Sequence, residues 1–234
     1  QAALGVTIRV PHLSFMSMAG EAKRDWPASI FAQSPWYEEY PYIENYFARV
    51  NYTLKCGEPV THVAILHPIE SIWIHMAQED RNALAVERIQ NDFADITNNM
   101  LLGTVDVDFI SESLLPGQCG EITEELEVGK MKYSTIIVPS MYTIRQTTLD
   151  ILKKFKEAGG RVIFSGIIPE YVDAVKSEEP GIFAGKCEKY NLTDTSQNKD
   201  IFEKERDIRV TVDDKPSDNI LYQLRCDDSG EWLF

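Results

Sequence analysis

The chain has 234 residues, enough for one large domain or for one ordinary domain with substantial pieces on either side. Hydrophobic residues at 44% and aromatics at 10% can fill a core, which excludes global disorder. A formal net charge of -14 with no basic stripe excludes nucleic acid as a partner, because phosphate binding needs clustered cations.

Residues 4–10 (LGVTIRV) are β-branched and apolar and predict a buried strand, followed by a long irregular stretch containing Gly20, Pro27 and Pro35. Trp36, Tyr40, Ile43, Phe47, Val50 and Leu54 then recur at steps of four and three, the spacing of one helix face. Pro35 and Gly57 bracket this helix, and Pro41 in its first turns offers a later start. Residues 60–66 (VTHVAIL) predict the next strand, and Ala85, Ile89, Phe93, Ile96 and Met100 a second helix face ending near Gly103. Residues 104–110 (TVDVDFI) alternate apolar with acidic side chains, as an edge strand does, whereas 133–138 (YSTIIV) are continuously apolar, as a strand covered on both faces is. Thr143 with Gln146 predicts a capping box for a helix that buries Thr148, Leu152 and Phe155 and ends in Lys153, Lys154 and Lys156 before Gly159-Gly160. Residues 161–164 supply a fourth strand, and Pro169 predicts a short helix through Val175.

Alternating strands and helices at this spacing predict an α/β fold, a flavodoxin-like doubly wound parallel sheet. Beyond Lys176 the pattern changes to a polar, charged segment reaching about Arg206. Ile208, Val210 and Val212, then Ile220, Tyr222 and Leu224, follow in strict alternation. They predict a hairpin turning over 213–218, the opening of a separate all-β module. The apolar start after Gln1 and the half-strand Glu231-Trp-Leu-Phe234 read as cut ends, so a fragment of a larger protein is expected.

Cys56, Cys119, Cys187 and Cys226 are widely spaced, with no CxxC and no clustered histidine, which predicts free thiols and no metal site. No run is long enough for a membrane helix, so no membrane partner is expected. Asn51 and Asn191 begin glycosylation triplets, but Asn51 lies in a predicted helix and both are read as chance.

In an open parallel sheet ligands bind beyond the carboxyl ends of the strands, which directs attention to His67, Glu70, Ser71, Ser111, Glu112, Ser140, Ser165 and Gly166. His67, Glu70 and Ser140 form an alternative hydrolytic site. Ser140, however, lies in Pro-Ser-Met-Tyr and not in a Gly-x-Ser-x-Gly elbow, and the plainer reading is that these residues shape turns and cap helices. The first loop, His67-Pro68-Ile69-Glu70-Ser71, is a poor host for phosphate, so no nucleotide, flavin or other cofactor is expected. Glutamine amidotransferase chemistry needs a cysteine after a central strand, and none follows 133–138 or 161–164. The early loop differs: His12, Glu21, Lys23, Arg24, Trp26, Gln33 and Trp36 bring together the rings, cations and amides that grip sugars, the alternative being a solvated loop with two core tryptophans.

Val10-Pro-His-Leu-Ser-Phe with Gly20-Glu-Ala-Lys-Arg-Asp-Trp-Pro, and Asn45-Tyr-Phe-Ala-Arg-Val-Asn running into Val63-Ala-Ile-Leu-His-Pro-Ile-Glu-Ser71, resemble segments of large multidomain bacterial glycoside hydrolases of the α-L-rhamnosidase and β-galactosidase-like kinds. In such enzymes a catalytic (β/α) barrel is followed by a flavodoxin-like, glutamine amidotransferase-like domain and then by β-sandwiches. The resemblance implies that residues 1–58 end the barrel, 59–176 form the flavodoxin-like domain, and 177–234 are a linker and the first strands of a sandwich. It implies that His12, Glu21, Lys23, Arg24 and Trp36 sit at the rim of the parent's sugar pocket, since barrel sites lie at the carboxyl ends of the strands. It supplies no catalytic pair, because the two carboxylates would come largely from earlier strands; Glu21 is the one local candidate, against an ion pair with Lys23 or Arg24.

Two readings follow. In the first, the chain is an inactive piece of a carbohydrate-degrading enzyme whose α/β domain packs against the barrel or another subunit, with carbohydrate bound through the parent. In the second, it is a self-contained small-molecule binder or hydrolase using the strand-end residues. The acidic balance and the missing disulfide framework lean towards a bacterial cytoplasm.

Overall fold

Five segments pair in parallel to form the central sheet: β1 (Val63–His67), β2 (Val107–Ser111), β3 (Thr135–Val138), β4 (Arg161–Ser165) and β5 (Glu188–Tyr190). Their order across the sheet is β2-β1-β3-β4-β5. This computed structural model describes residues 1–10, 14–24, 29–76, 83–193, 201–217 and 219–234.

Because side chains alternate along a strand, each inner strand feeds two cores. Ala64, Leu66, Ile136, Val138, Val162 and Phe164 face Leu149, Leu152 and Phe155 of one helix, together with Phe183 of another. Val63, Ile65, Ile137 and Ile163 face Ile96, Met100 and Phe202 on the opposite side. The helices are α1 (Ile69–Met76), α2 (Ala83–Leu102), α3 (Gln146–Glu157) and α4 (Glu179–Ala184). The continuously apolar strand is central and the alternating one lies at an edge, as their patterns predict.

Several expectations are corrected. The helix expected from Pro169 through Val175 is a hairpin, Tyr171–Val172 against Val175–Lys176, whose two turn residues Asp173 and Ala174 both have positive φ. Two left-handed residues in a row make the tight turn that matches strand twist, so the turn overrides the proline signal. Thr143 does not cap α3. It lies in the short strand Thr143–Ile144, and the N-cap is Arg145. Ile69, Glu70 and Ser71 of the expected first loop belong to α1, and residues between β2 and β3 form a single turn, Leu115–Gln118, and an antiparallel meander, Cys119–Ile122, Leu126–Val128 and Met131–Tyr133. The sheet also continues past Lys176, since β5 and the buried Phe202 lie within the polar segment.

The amino end of the sheet carries an ion network around the buried Glu205. Arg161 donates to both carboxylate oxygens of Glu188 at 3.1 and 2.7 Å and pairs with Glu205, which also accepts a 2.7 Å hydrogen bond from the Thr135 hydroxyl.

Two compact units divide the chain, Val60–Leu221 and Gln1–Pro59 with Tyr222–Phe234. The second contains the α-helix Tyr40–Thr53, preceded by the short turn Tyr37–Glu39, and a three-stranded antiparallel sheet of Glu58–Pro59, Leu224–Asp227 and Gly230–Leu233. Gly57 is required here: its φ is 65°, and a Cβ would stand 2.4 Å from the Cys226 carbonyl oxygen. Residues 4–10 form no strand. They carry a turn of 3-10 helix over Ala2–Leu4 and leave Ile8 and Val10 exposed, because β-propensity produces a strand only where a neighbour completes the ladder. The hairpin expected to join 208–212 to 220–224 is also absent. Thr211–Val212 pairs instead with Lys215–Pro216 through Asp213 and Asp214, both at positive φ, and Leu224 belongs to the other unit; Asp218 of the expected turn lies outside the described residues.

Candidate functional site

The carboxyl ends of the strands gather two groups of polar side chains. The first lies between β1 and β3. The chain leaves β1 towards β2 and leaves β3 towards β4, in opposite directions, so the loops diverge and a crevice of about 280 Å³ opens between them. Ser71, fully buried in α1, fixes its walls: its hydroxyl donates to the Thr143 carbonyl at 3.2 Å and accepts from the amides of Tyr142 and Thr143 at 2.9 and 3.1 Å.

Arg145 is the centre of this group. Its side chain donates to one oxygen of Glu70 from Nε and Nη2, both at 2.9 Å. Its backbone amide donates to Glu112 at 2.9 Å, and the next amide, of Gln146, donates to Asp173 at 3.3 Å. Carboxylates from two distant loops thus satisfy two of the free N–H groups that begin α3, the role expected of Thr143. Glu112 is fully buried, and removal from water pushes its carboxyl up to about 7 despite the Arg145 amide, which pulls it down.

The second group surrounds Ser140. Its buried hydroxyl donates to Asp92 at 2.5 Å and accepts from the Ile167 amide at 2.7 Å. Gly166, at φ 82°, permits this approach, because a Cβ there would fall 1.9 Å from the Ser140 oxygen. An open cleft of about 520 Å³ adjoins it, lined by Arg88, Asp92, Gly166, Lys189, Asn191 and Thr193.

The three alternative strand-end residues thus meet different partners. His67 meets the Phe93 ring edge-on at 5.4 Å, Glu70 holds Arg145, and Ser140 is bound to Asp92 and Ile167. Of the early-loop residues, Glu21 and Lys23 lie in the 3-10 turn Glu21–Arg24, Gln33 donates to the Phe15 carbonyl at 2.6 Å, and Trp36 is 51% exposed and so is not a core residue. His12, Trp26 and the Arg24 side chain lie outside the described residues. All four cysteines are free, and burial raises the thiols of Cys119 and Cys187, the latter to about 11, which makes both poor nucleophiles.

Arg145, Asp173, Trp73 and Asp92 join these groups without being among the residues that the sequence pattern points to. Pro68 followed by apolar side chains at Ile69, Ile72, Trp73 and Met76 was a legible signal for α1; the meeting of Arg145 with Glu70 and Glu112 had none, since 75 positions separate the first pair.

No family profile and no curated protein matches the sequence. Among solved structures, the fold resembles a rhamnosidase from Novosphingobium sp. PP1Y at a TM-score of 0.53 and 17% identity, covering 88% of this chain and 20% of that one. A catalytic mutant of a GH42 beta-galactosidase from G. stearothermophilus matches at 0.41 and 18%, covering 58% and 19%. A beta-galactosidase from Bacillus circulans sp. alkalophilus matches at 0.40 and 14%, covering 56% and 18%. The chain therefore spans about a fifth of the length of these proteins, and its fold resembles one that occurs within the rhamnosidase.

Proposed function

We propose that this chain is part of a carbohydrate-degrading glycoside hydrolase and that its α/β unit is a flavodoxin-like, non-catalytic module for structure or subunit contact. The observation that carries the reading is the likeness to the rhamnosidase, because it covers 88% of the chain and so reaches beyond the Val60–Leu221 unit. The strand order β2-β1-β3-β4-β5 is the flavodoxin order, which supports the finer fold assignment. On this reading residues 1–58 end a catalytic (β/α) barrel, and Leu224–Asp227 with Gly230–Leu233 begin a β-sandwich. His12, Glu21, Lys23, Arg24 and Trp36 then belong to the rim of the parent's sugar pocket, and the preceding barrel or another subunit covers the exposed face of Tyr40–Thr53.

The absence of a shared contact among His67, Glu70 and Ser140 supports a non-catalytic role. One observation favours the alternative of a self-contained binding or hydrolytic domain, namely the open cleft beside Ser140.

Hydrolysis of nitrophenyl α-L-rhamnoside and β-galactoside, by this chain and by the product of the whole reading frame, tests the reading. The expected result is turnover by the longer protein and none by this chain. Turnover by this chain, lost in Ser140→Ala, would establish the alternative, and a longer protein inert on all glycosides would remove the hydrolase assignment.

A further inference from the structure

We propose that the crevice between the loops after β1 and β3 binds a single neutral pyranose ring, stacked on Trp73 and held through its hydroxyl groups by Arg145 and Asp173. This goes beyond the hydrolase reading, which leaves the α/β unit without a ligand, and it rests on the crevice alone.

The first argument is position. β1 and β3 are neighbours whose onward connections run in opposite directions, and at such a switch point an open parallel sheet leaves a space that no loop closes. The second is pre-organisation. Ser71 ties α1 to the loop after β3, and Glu70 holds the Arg145 side chain by two N–H groups on one oxygen, so both walls are set before any ligand arrives.

The third argument is chemistry. Trp73 and Ile74 line the crevice while 57% and 41% exposed, leaving an apolar wall open to water beside charged groups. A guanidinium has five N–H donors; Glu70 takes two, and the Arg145 side chain remains 40% exposed, so donors are left for a ligand. Asp173 lines the same crevice, with one oxygen engaged by the Gln146 amide and the other an acceptor. A pyranose matches this set: its CH face covers the indole, and its hydroxyl groups accept from Arg145 and donate to Asp173. Glu70 neutralises Arg145 and leaves the Asp173 carboxylate uncompensated, so an anionic ligand is disfavoured. At about 280 Å³ the crevice is just below the range that holds drug-sized molecules, roughly 300–1,000 Å³, which suits one ring.

The test is titration of the chain with methyl β-D-galactopyranoside, methyl α-L-rhamnopyranoside and D-glucuronate, followed by calorimetry and saturation-transfer NMR. At least one methyl glycoside should bind in the millimolar range and more tightly than glucuronate. Trp73→Ala should weaken it at least ten-fold and abolish saturation transfer to ring CH protons. Asp173→Asn should weaken it several-fold and narrow the gap to glucuronate, and asparagine tolerates the positive φ of 48° at that position. Failure of both methyl glycosides to bind, undiminished binding in Trp73→Ala with an unchanged melting temperature, or tighter binding of glucuronate would each overturn the proposal. None of these readouts involves turnover, so they separate this site from the hydrolase reading.

Discussion

Ala83–Leu102 and Tyr40–Thr53 carry apolar side chains at the same steps of three and four, yet the first buries Ile89, Ile96 and Met100 and the second buries none of its residues. Periodicity specifies that a helix has an apolar face; it does not say what covers that face. Ala83–Leu102 lies against strands of its own unit, whereas Tyr42, Ile43 and Tyr46 are exposed. Exposed apolar side chains of this kind are what the proposed place of the chain in a larger enzyme calls for.

The contrast can be broken or sharpened by mutation, beginning with the largest effect. Phe155→Ala, at a fully buried ring, should cost about 3–5 kcal/mol in urea unfolding of the Val60–Leu221 unit. Arg161→Met should cost a similar ~3–5 kcal/mol, because it leaves the buried Glu205 without its cation. A loss below about 1 kcal/mol in either would mean that the unit does not owe its stability to this core.

Glu112 gives a pH signature. Its carboxyl is raised from 4.5 to about 7, so between those values the folded chain keeps a proton that the unfolded chain releases. The associated stability is therefore complete below about pH 4.5 and lost as pH rises through about 7, on the order of 3 kcal/mol in all. Glu112→Gln should flatten that fall. Asp106, raised to about 6 by burial, adds a slope of the same sign that persists in the variant. A rise in stability of the unsubstituted chain between pH 5 and 8 would contradict the burial of Glu112.

Gly166→Ala forces a side chain into φ 82° against Ser140 and should cost about 1–3 kcal/mol, with loss of amide-exchange protection at Ile167. The smallest effect is expected in the other unit, where Tyr46→Ser should change stability by no more than about 0.5 kcal/mol. A cost there approaching that of Phe155→Ala would show that the helix face is covered within this chain.

How much was legible follows the same division. The inner strands, α2, and the body of α3 could be read because each is dictated by its own residues: short runs of Val, Ile and Leu for strands covered on both faces, and a repeating apolar face for helices. β5 could not be read, because Glu188-Lys189-Tyr190 is polar and becomes a strand through the edge that β4 offers it. The two tight hairpins at Asp173-Ala174 and Asp213-Asp214 lack the glycine that usually announces them. The carboxyl-end positions His67, Glu70 and Ser140 were legible as places, but their partners were not.

The sequence by itself determined a parallel α/β core, its central strands and one of its two edges, and the absence of a nucleophile elbow, because local periodicity and residue type decide these. Only the tertiary structure decided that Glu112 and Asp173 cap α3, that Glu70 orients Arg145, that a crevice opens beside Trp73, and that no residue of Tyr40–Thr53 is fully buried. Each depends on groups far apart in the chain meeting, or failing to meet, and pattern within a segment carries no record of its neighbours in space.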